Sequence, residues 1–182
     1  MATEATLPTW TIDPVHSSVE FSLELMGISI FRTNFRQLEG TLRFDPANPA
    51  RSSVEASVPV ASIDVTNERL MSRLMDDDLL GGAKHPTTNF RSTRVEPADP
   101  THWKIAGDLT IHGTTRPVSL DATFLGQTKS PFTGKMTAAF RAETTLTRGE
   151  FGVTWNAPLE TAGTYLGERV HISLLIVAAR QE

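Results

Sequence analysis

Apolar and polar residues alternate along most of this chain with a period of two. The segment WTIDPVHSSVEFSLEL, residues 10–25, shows this best: from Val15 to Leu25 the odd positions are apolar except Ser17, and the even positions are His, Ser or Glu. Such alternation is typical of a strand with one buried and one hydrated face. We predict a single strand from Val15 to Leu25, which is long, since strands typically have roughly 5 or 6 residues.

The same period recurs in later segments, which are separated by clusters of Pro, Gly and Asn that favour turns. Together they give about eight strands joined mainly by short turns, and this predicts an all-β fold, an antiparallel sandwich or barrel. Residues 1–9 precede the alternation and are expected to form a flexible arm, which leaves residues 10–182 as a single domain.

One segment, NERLMSRLMDDDLLGG, has helical spacing instead, with Leu70, Met71 and Leu74 on one side and a pair of glycines after it. We predict a short helix over residues 67–74 that lies across one opening of the sheet.

Composition narrows the function classes. Apolar residues make up 39% of the 182 residues and the formal net charge is -4, which is typical of a globular protein and disfavours nucleic acid as a partner. The longest apolar run near the end, ISLLIVAA, is too short for a bilayer span of about 20 residues, so we expect a soluble protein without integral membrane contact. No signal peptide is recognisable, which predicts a cytoplasmic protein, or a periplasmic one if a leader precedes Met1 in the natural chain.

No pattern of catalytic or metal-binding residues is recognisable. His102 and His112 have the same parity on one predicted strand, but ten residues at about 3.3 Å each separate them by about 33 Å, too far to share an ion. The run Asp76, Asp77, Asp78 lacks the alternating ligands of a calcium loop and is expected to be a solvated helix end. Neither a nucleophile elbow nor a phosphate loop occurs, so we predict no catalytic residue, no metal and no cofactor.

Four polar residues draw attention for other reasons. His112 lies in HGTTRP between two strands and is expected to be a turn residue bonded to backbone. Arg148, in LTRGEFG, is either a surface charge or the partner of a carboxylate at the barrel end, and it is also a possible contact for a ligand headgroup. Asp13 and His16 mark the entry to the first strand, where Asp13 can fix the His16 ring, and we favour this structural role over contact with a ligand headgroup.

The apolar face suggests a hollow interior. A barrel of about eight strands is either filled by side chains or holds one small ligand. Small residues on the inward face would leave space beside Phe21, Phe44, Phe124 and Phe140, and these small residues are Ser17, Ala56, Gly107, Ala122, Ala138 and Ala142. Because this lining is apolar, the expected ligand is a hydrocarbon chain. The residues expected to contact it are Val19, Phe21, Leu23, Leu42, Phe44, Val58, Phe90, Leu109, Ile111, Leu120, Phe124, Ala138, Phe140, Trp155, Ile172 and Leu174.

Five segments, in this order, resemble the YceI-like family of polyisoprenoid-binding or lipid-binding bacterial proteins. They are DPVHSSVEFS, FRTNFRQLEGTLRFDP, HPTTNFRST, GDLTIHGTTRPVSLD and LTRGEFGVTW, and the resemblance runs from about Trp10 to Val177. It implies an extended, lipocalin-like antiparallel barrel with a long hydrophobic pocket for a polyisoprenoid or a similar amphiphile, often in a homodimer, and no catalysis. Asp13, His16 and Arg148 match family motif positions.

Three functional hypotheses result. The leading one is a non-catalytic carrier or storage protein for a long-chain isoprenoid or similar amphiphilic lipid. The second is a packed barrel that acts as a protein interaction module without a lipid ligand. The third is an enzyme acting on a lipid, with a catalytic site assembled from residues distant in sequence.

Overall fold

Nearly all regular structure belongs to one antiparallel sheet. The computed structural model describes residues 6–182, and within them it contains ten strands and one α-helix. The strands are β1 (Thr9–Ile12), β2 (Ser18–Leu25), β3 (Ser29–Phe35), β4 (Glu39–Arg43), β5 (Ser53–Pro59), β6 (Thr87–Pro97), β7 (His102–Ile111), β8 (Thr114–Lys129), β9 (Met136–Thr147) and β10 (Leu166–Arg180), and the helix is α1 (Glu68–Leu74).

The sheet closes on itself. Its strand order is β1-β4-β5-β6-β7-β8-β9-β10-β2-β3, and β1 also pairs with β10. Eight strands, β1 and β4 to β10, therefore form a closed antiparallel barrel, while the β2–β3 hairpin continues the wall from β10. Closure removes unpaired edges from the ring. The predicted β-barrel of about eight strands is confirmed.

The predicted strand from Val15 to Leu25 is wrong at its beginning. Asp13 Oδ1 accepts a hydrogen bond from Val15 N at 2.9 Å, and Asp13 O accepts one from Ser17 N at 3.1 Å. This turn competes with strand pairing, because an Asp side chain can bond the backbone two residues on. Val15 is consequently 82% exposed, and β2 begins only at Ser18.

The turn separates two strands, β1 and β2, which pair with different parts of the same edge of β10. Trp10 of β1 pairs with Arg180 near the end of β10, whereas Val19 of β2 pairs with Leu174. β1 then pairs with β4 and β2 with β3 on their other sides. Residues 1–5 of the predicted arm lie outside the described residues, and β1 begins at Thr9, one residue before the predicted domain boundary.

Two local predictions are confirmed. α1 begins at Glu68 after the N-cap Asn67, whose side chain accepts a hydrogen bond from Leu70 N at 2.9 Å. His112 and Gly113 connect β7 to β8 with φ of 52° and 73°, the positive values that a tight hairpin turn requires. The His112 ring Nε2 donates to the backbone oxygen of Asp77 at 2.6 Å, which ties this turn to the segment after α1.

Aromatic rings fill one end of the barrel, and we call them the aromatic plug: Trp10, Phe44, Trp103, Phe124 and Phe140. Phe44 meets Phe140 edge to face at 5.0 Å between ring centroids, and Trp103 stacks on Phe124 at 5.7 Å. Such pairs add to the stabilisation that their buried area gives. The fully buried Ala138 and Ala178 belong to the same cluster. This end of the barrel is therefore closed by packed side chains.

The Asp13 turn yields a prediction on stability. The hydrogen bond from His16 lowers the pKa of Asp13 below its ordinary value of 3.8, and the backbone N–H of Val15 acts in the same direction. A carboxylate with a lowered folded-state pKa stabilises the fold above the unfolded pKa, and this contribution is lost as the pH falls through the folded pKa. Near neutral pH, we expect Asp13→Ala to lower the free energy of unfolding by about 1 kcal/mol.

Chemical denaturation of both proteins over a pH series measures this effect. The difference between wild type and Asp13→Ala should shrink below pH 3.8. A difference that is independent of pH would contradict a role for the carboxylate charge. Asp13→Asn is the matched control, because it keeps the acceptor for Val15 N and removes the charge.

Candidate functional site

The interior of the barrel contains one large apolar cavity. Its volume is about 610 Å³, and its lining extends from Phe44, Trp103 and Phe140 of the aromatic plug to Leu70 and Tyr165 at the other end. Leu70 and Tyr165 are exposed as well as lining, so the cavity reaches solvent there, and we call this end the mouth. Ligand sites typically have about 300 to 1,000 Å³, so the volume suits a small molecule.

Most of the predicted contact residues lie on the cavity wall. Fourteen of the sixteen line it, namely Val19, Phe21, Leu23, Leu42, Phe44, Val58, Phe90, Leu109, Ile111, Leu120, Phe140, Trp155, Ile172 and Leu174. Alternation in the sequence brings most of them together because every second residue of each strand points into the barrel, whereas Phe44 and Trp155 lie outside the strands. Their contact with a ligand stays a prediction.

The other two predicted contacts do not line the cavity. Phe124 and Ala138 also point inward, but they lie at the level of the aromatic plug, where ring packing leaves no cavity beside them. Gly107, expected to leave space, is covered instead: a Cβ atom there would lie 2.4 Å from Phe90 Cζ. The Ser17 hydroxyl bonds the backbone of Val177. Of the predicted small residues, those that do line the cavity are Ala56, Ala122 and Ala142.

The mouth is built by elements outside the sheet that sequence reasoning only partly anticipated. Leu70 and Leu74 of α1 and the following Leu79 and Leu80 line the cavity, so the helix does lie across an opening of the barrel. The helical spacing of the leucines was the available signal. Tyr165, from the segment before β10, gave no such signal because it lies outside any periodic pattern.

Arg73 holds the two sides of the mouth together. Its guanidinium donates to both carboxylate oxygens of Asp78, at 2.6 and 3.0 Å, and to Asp76 at 3.1 Å. It also lies 4.7 Å from the centre of the Trp155 ring, a cation–π contact. The ion pair lowers the pKa of Asp78 and raises that of Arg73. The three aspartates are thus paired with basic side chains, since Lys84 contacts Asp77.

Arg148 is a buried cation beneath the mouth. Its side chain is about 4% exposed, and it donates to three backbone oxygens, those of Gly167 at 2.9 Å, Val153 at 2.9 Å and Trp155 at 2.8 Å. Its Nη2 also donates to Glu168 Oε1 at 3.2 Å. Of the two alternatives, the carboxylate partner is therefore the right one. Residues 148–151 form a short 3-10 helix after β9. The bonds of Arg148 hold the segment between this helix and β10 against the end of the barrel.

Asp13 and His16 are remote from the cavity. Neither belongs to its lining, and the His16 ring is exposed on the outer surface, 2.7 Å from Asp13 Oδ2. The structural role is consistent with this position.

Residues 6–182 lack two kinds of feature, a cluster of metal-binding side chains and a helix that could span a membrane. Among these residues, no group of three or more His, Cys, Asp or Glu side chains converges on a point that could hold an ion. Over the same residues, no helix combines the length and the apolar character needed to span a membrane.

Comparison with known proteins places this geometry in a family. Residues 10–178 match the model of the YceI-like domain. A UPF0312 protein of Vibrio cholerae is 30% identical over 157 residues, which cover 86% of this chain and 80% of the relative. The family match over residues 10–178 therefore includes nearly all residues of the strands and every residue that lines the cavity.

Solved structures share the fold at lower identity. BcnA of Burkholderia cenocepacia superposes with a TM-score of 0.79 at 22% identity, covering 91% of this chain and 98% of that one. A polyisoprenoid binding domain from Saccharophagus degradans superposes with a TM-score of 0.64 at 11% identity, covering 96% and 99%. These likenesses establish the barrel architecture.

The position of Arg148 yields a prediction for the mouth. Arg148→Met removes the donors to three backbone oxygens, so we expect the free energy of unfolding to fall by about 3 kcal/mol. Arg148→Lys should retain only part of this stabilisation, because an ammonium group keeps the positive charge but cannot reproduce the planar fork of donors. Thermal and chemical denaturation measure both losses.

Glu168→Gln serves as the matched control. The Glu168 side chain is 59% exposed, so its ion pair with Arg148 is screened by solvent, and we expect a loss below about 1 kcal/mol. A loss in Glu168→Gln as large as in Arg148→Met would show that the ion pair, not the backbone contacts, anchors this segment.

Proposed function

Because the chain belongs to the YceI-like domain family, we propose that its cavity binds a long-chain isoprenoid or a similar amphiphilic lipid, and that the protein carries or stores this ligand without changing it chemically. The observation that supports this most is the cavity of about 610 Å³ with a nearly continuous apolar wall. An empty apolar cavity of that size forfeits packing contacts, which a hydrocarbon chain would supply.

The wall also favours one orientation of the ligand. The polar side chains among its lining are few. Arg73, Arg148 and Tyr165 lie at the mouth, where the cavity reaches solvent, whereas Arg43, Ser52 and Ser53 lie near Phe44 at the end of the aromatic plug. Each methylene group buried contributes about 0.8 kcal/mol, whereas an unpaired polar headgroup against the plug would cost several times that figure. The chain therefore points toward the plug, and the headgroup stays at the mouth.

Two observations support the proposed class of ligand: the name of a structural neighbour and the side chains of the cavity wall. The structural neighbour from Saccharophagus degradans is by its name a polyisoprenoid binding domain, and this supports a branched hydrocarbon as ligand. The aromatic rings and leucines of the wall suit methyl-branched chains, which pack well against both. The homodimer and the cellular compartment stay predictions.

Co-purification tests the proposal. Mass spectrometry of an organic extract of the purified protein should find an apolar molecule at a stoichiometry near one per chain, because a tightly bound insoluble ligand survives purification. An extract without such a molecule, together with no uptake of added prenyl alcohol, would support the interaction module instead.

A cavity-filling variant tests the location of the ligand. Leu109 lines the cavity near the end of β7 that faces the mouth, so Leu109→Trp places an indole in space that the lipid would use. We expect unchanged or increased stability of the ligand-free protein and at least a roughly tenfold loss of affinity for a fluorescent fatty acid, since the ring displaces several methylene groups.

The control is Asp108→Trp, which adds the same side chain one residue away on the exposed outer face of β7. It should bind lipid normally. If Leu109→Trp is destabilised by about 1 to 3 kcal/mol, as overpacking of a filled core would cause, and still binds lipid, the ligand lies elsewhere.

A further inference from the structure

The tip of the β2–β3 hairpin is unusually apolar for an exposed turn. Residues 25–31, LMGISIF, contain no charged side chain, although Glu24 and Arg32 flank them directly. Ile28 is 85% exposed and Ile30 is 62% exposed. Large aliphatic side chains grouped on a protein surface mark a site of interaction.

This tip is continuous with the mouth of the cavity. Leu25 and Phe31, at the two ends of the stretch, line the cavity. Met26 N donates to the backbone oxygen of Tyr165 at 2.8 Å, so the tip lies against the segment before β10, which also lines the mouth. Exposed apolar side chains from the hairpin, α1 and this segment thus lie at the mouth end of the barrel, and we call them the apolar rim: Met26, Ile28, Ile30, Leu70 and Tyr165.

We propose that the apolar rim docks on the surface of a lipid bilayer, so that the ligand passes between membrane and cavity without crossing water. The inference rests on the proposed function, because an insoluble lipid has a bilayer as its source or destination. Trp155 and Tyr165 pack edge to face at 5.9 Å beside the mouth. Side chains of this kind prefer the boundary between water and acyl chains.

Charge determines which kind of bilayer the rim fits. The rim itself carries no charge, and the nearest basic residue of the hairpin, Arg32, pairs with Glu20 at 3.3 Å. The formal net charge of -4 works against attraction to anionic lipids. Docking therefore depends on insertion of aliphatic side chains, and we expect binding to zwitterionic phosphatidylcholine with little dependence on salt.

Backbone hydrogen bonding limits the depth of insertion and shortens the edge of β3 with which the competing occupant, a second copy of this chain, could pair. Part of that edge is already covered, since Arg36 N donates to Ser62 O and Asp64 N donates to Asn34 O, both at 2.8 Å. Residues 29–33 of β3 remain for strand pairing. Their backbone groups must stay hydrated in a docked state, so the turn alone enters the acyl region.

Site-specific fluorescence tests the docking directly. The chain has no cysteine, so Ile28→Cys and Phe132→Cys each introduce a unique site for an environment-sensitive dye. Phe132 is the matched control, because it is 96% exposed in the turn between β8 and β9, beyond the aromatic plug. With phosphatidylcholine vesicles, the dye at position 28 should shift to shorter wavelength and the dye at position 132 should not. Equal shifts, or none at position 28, would overturn the proposal.

Serine variants supply an independent test with unlabelled protein. Vesicle flotation measures membrane binding, and transfer of a fluorescent prenyl lipid between vesicles measures delivery. We expect the double variant Ile28→Ser/Ile30→Ser to show vesicle affinity and transfer rate lower by a factor of about ten or more, and Phe132→Ser to match wild type. Normal flotation and transfer in the double variant would overturn the docking role. A concentration-dependent dimer that forms in wild type and Phe132→Ser but not in the double variant would overturn it as well.

Uptake of a dilute fluorescent fatty acid in the absence of vesicles separates this inference from the proposed function. The double variant should take up this probe as wild type does, because neither isoleucine lines the cavity. Uptake without vesicle docking refutes only the bilayer surface. Failure of wild type to take up the probe refutes the proposed function and the inference with it.

Discussion

The barrel depends on how one edge of β10 is divided between two strands. β9 pairs with β10 along its other edge, while β1 takes the last residues of the shared edge and β2 takes those nearer the mouth. The turn at Asp13 makes this division possible, because it lets the chain leave the edge and return to it. β1 leads to β4 and closes the ring, whereas β2 leads to β3 and extends the wall toward the mouth. The two ends of the barrel differ for this reason.

Side-chain volume then separates a filled end from a hollow one. The rings of the aromatic plug close the barrel where Ala138 and Ala178 allow close approach. Farther along, Ala122 and Ala142 occupy inward positions on neighbouring strands, and no ring covers them completely. At the mouth, Arg73 and Arg148 fix α1 and the segment before β10 through carboxylates and backbone oxygens. Apolar packing thus shapes the cavity, and polar contacts shape only its entrance.

The sequence predicted which side chains point inward but not how deep in the barrel each one lies. Alternation identified Leu109 and Phe124 equally well, yet Leu109 lines the cavity and Phe124 packs in the plug, because depth depends on strand register, which periodicity does not contain. The pattern did not predict the turn at Asp13. Val15 has the parity of an inward-facing residue, although its backbone lies outside the sheet. Arg148 was undecided because its partners are mostly backbone oxygens, which no sequence motif reveals.

Calorimetric titration of the delipidated protein with a series of fatty alcohols tests the central claim, that an apolar cavity closed at the aromatic plug holds a hydrocarbon chain. Each added methylene should strengthen binding by about 0.8 kcal/mol, with a negative heat-capacity change, until the chain reaches the aromatic plug and the gain ends. Leu109→Trp should move this limit to shorter chains. An affinity that does not depend on chain length would contradict the claim, because it would show that the hydrocarbon stays outside the barrel.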